Sequence, residues 1–256
     1  MTAPVIWERR DHIALVTLND PERRNVLSRA LVGALRHCLD EIESSDVRAI
    51  VITGAGKAFC AGADIRDLLE AGWMEGRADG PDPIDIFEQL DKSPRLTLAA
   101  VNGVAYGGGF ELTLCCDVVI AADRATFAIP EVRHGVIPNT ALARLAPIIG
   151  RRQALDLALT ARPLSAEEAQ ALGLVKQITA SDGLIDIAVD LARNITGAGS
   201  PGAITAIKSA LRQHTPTDWK QVRQSLLAVP PAEWREGLSA FLEKRPPDYQ
   251  RFWSKR

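Results

Sequence analysis

The amino-acid sequence predicts an α/β fold in which strand-strand-helix units repeat and a helical extension follows them. Two continuous apolar segments, "VRAIVITG" at 47–54 and "LTLAAVNG" at 96–103, have the pattern of strands that are buried on both faces of a sheet. Between such segments, apolar residues recur every three or four positions, which indicates helices. From residue 139 onward the helical pattern dominates. This order of elements is typical of an α/β core with helices added at its end.

The first part of the chain contains two predicted strands, a turn and a helix. Residues 4–10 and 12–20 have the short patterns of strands, and the charged Asp11 between them predicts a turn. Helical periodicity then runs from Ser28 to Ser44. Ser28 is the expected N-cap, because its hydroxyl can accept a hydrogen bond from the first helical turn.

The middle of the chain alternates glycine-rich loops with helices and strands. The segment "GAGKAFCAGADI", which begins at Gly54, predicts a loop that leads into a helix. Residues 72–83 are rich in Gly, Asp and Pro, and we expect a mobile loop or insertion there. Trp73 and Met74 could line a pocket or tether this loop. The other predicted elements are a helix at 84–93 and short strands at 117–123 and 125–129.

Two helix signals stand out in the C-terminal part of the sequence. The segment "SAEEAQALG" has Ser165 followed three residues later by Glu168, which is the pattern of a capping box at a helix start. Residues 233–245 have the texture of a late amphipathic helix.

Composition and charge exclude several classes of protein. The chain has 256 residues, of which 46% are hydrophobic and 24% charged, as expected for a globular protein with a large core. The net charge of -2 and the scattered Lys and Arg argue against a nucleic-acid partner. No apolar run approaches ~18 residues, so we expect no membrane-spanning helix and no membrane partner.

Cysteine usage and the first residues predict a cytoplasmic protein. The cysteines have neither metal-binding nor redox spacing, and we expect buried thiols in a reducing compartment and no metal site. The segment "MTAPVIWERRDH" becomes charged early and lacks the apolar centre of a signal peptide. The four cysteines are Cys38, Cys60, Cys115 and Cys116.

Two glycine-rich junctions carry the strongest functional signal. They are "VITGAGKAFCAGADI" at 51–65 and "LAAVNGVAYGGGFEL" at 98–112. A nucleotide-phosphate loop is disfavoured, because Ala58 follows Lys57 and Phe59 occupies the third glycine position of a dinucleotide fingerprint. Tight turns and close packing are a second explanation of the glycines. The third is an oxyanion hole, in which two backbone N–H groups stabilise a developing anion.

Two carboxylates lie beside such junctions. Glu111 follows three consecutive glycines, and Glu131 follows an apolar strand and Pro130. Each alone could be an acid that is favourable at a helix N-terminus. Together they indicate a general acid/base pair. Asp117 and Asp123 compete for this role, but caps at strand ends explain their positions better.

Six segments, taken together and in order, resemble the crotonase superfamily, also called the enoyl-CoA hydratase/isomerase family. The resemblance covers almost the whole chain, and the glycine-rich junctions are its specific part. The segments are "NDPERRNVLS", "VRAIVITGAGKAFCAGADI", "AAVNGVAYGGGFELTLCCDVVIAAD", "ATFAIPEVRHGVIP", "ARPLSAEEAQALGLV" and "EGLSAFLEKRPPDY".

The resemblance implies a crotonase-like spiral of strand-strand-helix repeats with a C-terminal helical trimerisation region. Residues 1–195 would form the acyl-CoA-binding core, and residues 196–256 would form the helical region. Members of the family are usually homotrimers or dimers of trimers. The implied chemistry needs no cofactor, since coenzyme A enters as part of the substrate.

The same resemblance assigns roles to residues in matching motifs. The N–H groups of Ala63 and Gly108 would form the oxyanion hole, and Glu111 and Glu131 would be the catalytic acids. Asn139 stands where the family usually has a glycine whose backbone helps to hold the catalytic water. The implied substrate contacts are Arg24, Ala61, Gly62, Asp64 and Ile65, together with Lys244 from a neighbouring subunit.

The implied reaction is the reversible hydration of a trans-2-enoyl-CoA. Glu111 would orient or deprotonate water for attack at Cβ, and Glu131 would exchange the proton at Cα. Because Asn139 departs from the family pattern, isomerisation or another enolate reaction stays open. A non-catalytic acyl-CoA-binding or RNA-binding protein is the alternative from another class. The acyl chain, the direction of reaction and the choice between trimer and hexamer are not determined by the sequence.

Overall fold

The computed structural model describes residues 3–70, 72–75 and 80–253, which form an α/β fold with two sheets. The strands are β1 Val5–Arg10, β2 Ile13–Leu18, β3 Ala49–Gly54, β4 Ala58–Cys60, β5 Leu96–Val101, β6 Val104–Tyr106, β7 Val118–Ala122, β8 Thr126–Ala128, β9 Leu164–Ser165 and β10 Gln177–Thr179. The larger sheet has the order β1-β2-β3-β5-β7-β10 and the smaller one β4-β6-β8-β9. Pairing is parallel except between β1 and β2 and between β8 and β9.

Helices follow and connect these strands. The α-helices are α1 Arg29–Glu43, α2 Ile65–Glu70, α3 Pro83–Lys92, α4 Gly108–Leu114, α5 Asn139–Ile149, α6 Arg151–Thr160, α7 Ala166–Ala171, α8 Leu184–Ala198, α9 Pro201–His214, α10 Trp219–Ser225, α11 Pro231–Leu242 and α12 Gln250–Trp253. Short 3-10 helices occur at Pro21–Arg23, Trp73–Glu75, Pro130–His134, Ser181–Gly183 and Leu226–Ala228.

The predicted strand-strand-helix repeat is confirmed and has a simple plan. In each of three successive units, one strand joins the larger sheet, the next joins the smaller sheet, and a helix follows. The units are β3-β4-α2, β5-β6-α4 and β7-β8 with the 3-10 helix at 130–134. Because β4, β6 and β8 run parallel in the smaller sheet, the segments that follow these strands all begin at the same edge of that sheet.

Burial on both faces of the larger sheet explains the continuous apolar strands. Ile50 and Ile52 belong to the core cluster that includes α1, whereas Ala49 and Val51 face a second cluster with α8. Helix α8 therefore covers the sheet as part of the core packing. The predicted division between residues 195 and 196 falls in the last turn of this helix, and that division stays a prediction.

The local helix signals in the sequence are confirmed. The Ser28 hydroxyl accepts a hydrogen bond from the Leu31 N–H and caps α1. At the start of α7, Ser165 and Glu168 form the reciprocal hydrogen bonds of a capping box. Such bonds satisfy N–H groups that the first helical turn leaves without partners.

The short strands β4, β6, β9 and β10 differ from the expectation of loops and helices in these segments. They have two or three residues each, too few for a periodic pattern to be visible. In the predicted loop at 72–83, residues 73–75 form a 3-10 helix with Trp73 and Met74 buried, and Pro83 begins α3. Residues 76–79 of that loop lie outside the described residues.

Thiols and charged groups are distributed as follows. All four cysteines are buried and have free thiols. Within the described ranges, no group of three or more His, Cys, Asp and Glu side chains is arranged to hold a metal ion. In the same part of the chain, no helix combines the length and the apolar character that crossing a membrane requires.

Candidate active site

A cavity of about 820 Å³ lies where the two glycine-rich junctions meet the segment 130–139 and the C-terminal helices. Its walls include both predicted acids and both predicted oxyanion-hole residues. The other predicted residues in its lining are Arg24, Ala61, Gly62, Asp64, Ile65 and Asn139. The lining thus brings together every predicted site residue except Lys244.

The two glycine-rich junctions are in close backbone contact. A Cβ atom on Gly62, where φ is +102°, would lie 2.8 Å from the Tyr106 carbonyl oxygen and 3.5 Å from the Gly108 nitrogen. A Cβ atom on Gly108 would lie 3.6 Å from the Ala63 nitrogen. Side chains at these positions would separate the two segments. The glycines therefore allow the Ala63 and Gly108 N–H groups to come near one another.

The Ala63 and Gly108 N–H groups are available to a ligand. Gly108 is the first residue of α4, and the first N–H groups of a helix have no partner within the helix. Neither N–H pairs with an acceptor in the described part of the chain. Two such donors that face one oxygen can hold an oxyanion. The backbone is therefore consistent with the predicted oxyanion hole.

Glu111 lies in the first turn of α4 and is 6% exposed. Its Oε1 accepts a hydrogen bond of 2.9 Å from the Ala141 N–H at the start of α5. Burial raises the pKa of Glu111 to about 7, and the N–H groups of Ala141 and Thr140 oppose this rise. A carboxyl with such a pKa exchanges protons readily near neutral pH.

Glu131 follows Pro130 in a 3-10 helix and points its carboxyl toward the start of α4. A Cβ atom on Gly107 would lie only 2.8 Å from Glu131 Oε1. Its other oxygen, Oε2, is buried and has no hydrogen-bond partner among the described residues. Burial, and then the negative charge of Glu111, raise the pKa of Glu131 well above its ordinary value. Both effects favour the protonated form of the Glu131 carboxyl.

Asn139 is the first residue of α5, and both ends of its side-chain amide are hydrogen-bonded. Nδ2 donates to the Val222 carbonyl oxygen at 3.0 Å, and Oδ1 accepts from the Thr140 N–H at 2.9 Å. Its φ is not positive, so an asparagine fits the backbone without strain. The side chain is 7% exposed and forms part of the cavity wall.

The predicted substrate contacts lie at different parts of the site. Arg24 is exposed and has a left-handed backbone, with φ of 56°. Asp64 forms an ion pair with Arg23, and its Oδ1 accepts from the Arg66 N–H, so it also stabilises the start of α2. Lys244 is exposed just after α11 and does not line the cavity.

Several cavity residues were not predicted from the sequence. Arg23 lies beside the predicted Arg24, and the tandem arginines of "PERRN" were the available signal. His134 packs edge-on against Phe241, and burial lowers its pKa. The apolar part of the wall joins distant segments, for which the sequence offers no local signal. It includes Ile84, Phe87, Leu226, Leu238, Phe241 and Leu242 together with Trp73 and Met74, whose pocket-lining role is confirmed.

Comparisons with a family model and with known proteins agree on one family. A family model described as "Enoyl-CoA hydratase/isomerase" matches residues 8–252. The chain is 36% identical over 254 residues to the putative enoyl-CoA hydratase/isomerase YngF of Bacillus subtilis, covering 94% of this chain and 96% of that protein. It is 35% identical to the 2,3-dehydroadipyl-CoA hydratase of Escherichia coli, covering 96% and 98%.

Solved structures share the fold. The structure of EchA1_1 from Mycobacterium paratuberculosis superposes with a TM-score of 0.85 at 33% identity, covering 98% of this chain and 99% of that one. The match spans both the repeats and the C-terminal helices. The chain therefore belongs to the enoyl-CoA hydratase/isomerase family of the crotonase superfamily.

Proposed function

We propose that the protein is an enoyl-CoA hydratase, a lyase that reversibly adds water to a trans-2-enoyl-CoA thioester. One observation carries the proposal: two buried carboxyls with raised pKa values share a cavity with two backbone N–H groups that have no acceptor among the described residues. An oxyanion hole alone would fit many acyl-CoA reactions. The addition of water needs two further groups, one that accepts a proton and one that donates one.

In the proposed mechanism, the thioester oxygen binds between the N–H groups of Ala63 and Gly108. Glu111 takes a proton from water as the water oxygen forms its bond to Cβ. The electron pair of the double bond moves toward the thioester, and the two N–H groups stabilise the resulting enolate. Glu131 then donates its proton to Cα. Proton transfer from Glu111 back to Glu131, through solvent or product release, restores the starting state.

The protonation states required by this mechanism fit the surroundings of the two acids. Glu111 accepts hydrogen bonds from the start of α5, which favour its ionised form. Glu131 has a buried oxygen without a partner in the described part of the chain and faces the charge of Glu111, so its protonated form is favoured. Two acids in contrasting surroundings can divide the roles of base and acid at one pH.

A double-bond isomerase is the second candidate, and Glu131 is the observation that favours it. A single buried carboxyl next to an oxyanion hole could move a proton between two carbons of the acyl group. Under that reaction Glu111 would have no direct role. The anchoring of Glu111 on α5 therefore favours the hydratase over the isomerase.

The assembly and compartment belong to this proposal as well. A homotrimer or a dimer of trimers would bring the exposed Lys244 to the nucleotide end of a neighbouring subunit's substrate. Arg24, which lines the cavity and is exposed, would contact the phosphates of coenzyme A from within the chain. The four buried thiols fit a cytoplasmic location, where cysteines are kept reduced.

The test is a hydration assay on a panel of trans-2-enoyl-CoA thioesters of different length and branching. Ultraviolet absorbance follows the loss of the conjugated enoyl thioester. We expect wild type to remove the signal, and Glu111→Gln and Glu131→Gln each to lower kcat by about 10²–10⁴-fold, as is typical when a general acid or base is lost. Glu167→Gln, a carboxyl on α7 outside the cavity lining, is the matched control.

The outcomes separate the candidates. No loss of absorbance with any thioester, despite binding of the substrate, would contradict the hydratase. A 3-enoyl-CoA converted to the conjugated 2-enoyl form, with dependence on Glu131 alone, would support the isomerase. Binding without any turnover of either substrate would support a non-catalytic acyl-CoA-binding protein.

A further inference from the structure

The first turn of α5 distributes its N–H groups among separate acceptors. The Ala141 N–H donates to Glu111 Oε1 at 2.9 Å, and the Thr140 N–H donates to Asn139 Oδ1 at 2.9 Å. The Leu142 N–H donates to the Pro138 carbonyl oxygen. The Thr140 N–H also lies close enough to the Glu111 carboxyl to favour its ionised form. Asn139 Oδ1 and Glu111 therefore compete for one donor.

A long-range contact fixes the orientation of the Asn139 amide. Its Nδ2 donates to the carbonyl oxygen of Val222 on α10, which is 83 residues further along the chain. Because only the nitrogen of the amide can donate, this bond directs Oδ1 toward the Thr140 N–H. The residue is 7% exposed, so water does not replace these partners freely. A glycine at this position could make neither contact.

We propose that Asn139 is a positioning residue for Glu111, which draws the Thr140 N–H partly away from the carboxylate and anchors the first turn of α5 to α10. The inference rests on the proposed function in one respect, that Glu111 acts on water as a base. With a weaker hydrogen bond from Thr140, the Glu111 carboxylate is less stabilised and accepts a proton more readily. Asn139 thus keeps Glu111 basic.

The other groups that face Glu111 are the same in all variants of residue 139. Glu131 approaches from the 3-10 helix at 130–134, and Cys115 follows at the end of α4. Near Cys115, Arg144 of α5 and Asp91 of α3 form an ion pair of 2.9 Å. Tyr106 of β6 also lines the cavity, and β4 contributes no charged residue. Changes in the titration of Glu111 therefore report on residue 139.

The experiment compares two substitutions that act in opposite directions. Asn139→Gly removes Oδ1 and frees the Thr140 N–H for Glu111. The titration midpoint of Glu111 should fall by up to about one pH unit, because the Thr140 hydrogen bond to the carboxylate becomes stronger. Asn139→Asp keeps an acceptor for the Thr140 N–H and adds a negative charge beside Glu111. Its midpoint should rise.

Infrared difference spectroscopy of the full protein gives the midpoint directly, from the C=O stretch of the protonated carboxyl. Glu111→Gln identifies the band that belongs to Glu111. The acid limb of kcat/KM for hydration, measured in parallel, should move in the same directions. Val222→Ala is the matched control, because it loosens the buried α10 contact but keeps the backbone carbonyl. This control should leave the midpoint in place.

Opposite shifts of the Glu111 titration midpoint in Asn139→Gly and Asn139→Asp support the inference. A merely structural role would lower the stability of both variants without moving their midpoints in opposite directions. Unchanged midpoints, or midpoints that move in the same direction, would overturn it. If Asn139→Gly does not fold, Asn139→Ala carries the same expectation. Opposite infrared shifts in a protein that hydrates no enoyl-CoA would contradict the proposed function and leave this inference intact.

Discussion

The two glycine-rich junctions share one backbone plan but lie in different surroundings. Each runs from a strand of the larger sheet through a strand of the smaller sheet into a helix, as β3-β4-α2 and β5-β6-α4. None of the residues of α2 is buried, whereas every residue of α4 is buried. Both junctions nevertheless deliver a backbone N–H to the same cavity, from Ala63 and from Gly108.

This difference shows which parts of the site need the core. A backbone N–H is a fixed dipole and needs no full burial to point at a ligand, so the half-buried segment before α2 can supply it. A carboxyl that must work near neutral pH needs desolvation, and it lies on the buried helix. The first junction therefore forms the rim of the site, and the second forms its floor.

The largest expected effect comes from placing a methyl group in the second junction. A Cβ atom at Gly109 would lie 2.1 Å from the Cys60 carbonyl oxygen, which is backbone and cannot move aside. Gly109→Ala should lower the free energy of unfolding by about 3 kcal/mol or more. Gly56→Ala in the first junction meets Pro21 Cβ at 3.0 Å at a φ of +74°, and should cost about 1–2 kcal/mol.

Urea unfolding of the two variants measures this contrast. Gly197→Ala is the control, because a Cβ atom there meets no atom of the described residues within 4 Å, and a helical alanine should stabilise by about 0.5–1 kcal/mol. Equal losses in Gly109→Ala and Gly56→Ala would contradict the distinction between a buried floor and an exposed rim.

A second expected effect is the pH dependence of stability that Glu111 contributes from the second junction. The folded pKa of Glu111, about 7, lies above its ordinary value of 4.5. The contribution of the Glu111 carboxyl to the free energy of unfolding is therefore fully present below pH 4.5. It is lost as the pH rises toward and through 7. The loss is about 1.4 kcal/mol per pH unit within that window. Glu111→Gln should gain stability relative to wild type from pH 5 to pH 7.

Unfolding free energies of both proteins across this range test the sign. Glu168→Gln is the control, since hydrogen bonding lowers the pKa of Glu168 and its contribution is complete above 4.5. The difference between this control and wild type should stay constant from pH 5 to pH 7. A difference between Glu111→Gln and wild type that is equally flat would mean that Glu111 is not desolvated.

The smallest expected effect concerns the rim. Arg23 is half-exposed and pairs with Asp64, which keeps its hydrogen bond from the Arg66 N–H when the arginine is lost. Arg23→Ala should therefore cost at most about 1 kcal/mol of stability. It should raise KM for the acyl-CoA by a few-fold at most and leave kcat unchanged.

Steady-state kinetics with the best thioester of the panel measure this effect. Arg36→Ala, which removes an exposed arginine of α1 outside the cavity lining, is the control. A fall in kcat as large as that of Glu111→Gln would show that the rim takes part in the chemistry and would remove the distinction between the junctions.

Local signals in the sequence were sufficient for much of this fold. The strands β3 and β5 and the helix α1 with its Ser28 cap follow from patterns within about fifteen residues. The glycine-rich junctions and their acids were also visible, because rare residue types cluster there. By contrast, β4 and β6 are too short and too glycine-flanked to be recognised as strands.

Long-range contacts explain what the sequence left undetermined. The Asn139 amide meets Val222 across 83 residues, and no local pattern indicates that pair. The apolar end of the cavity also depends on long-range contacts. Leu226 and Leu238 line it together with Trp73 and Met74, which lie far away in the sequence. A trimerisation role for the C-terminal region stays a prediction, and within one chain this region lines the cavity.

The buried thiols make the two junctions separately observable. Cys60 ends β4 in the first junction, and Cys115 directly follows α4 in the second. Burial raises the pKa of the Cys60 thiol to about 12 and that of the Cys115 thiol well above its ordinary value, so the closed protein holds almost no reactive thiolate at these positions. Alkylation must then wait for each segment to open. The labelling rate of each thiol, measured by mass spectrometry, therefore reports how often the floor and the rim open locally.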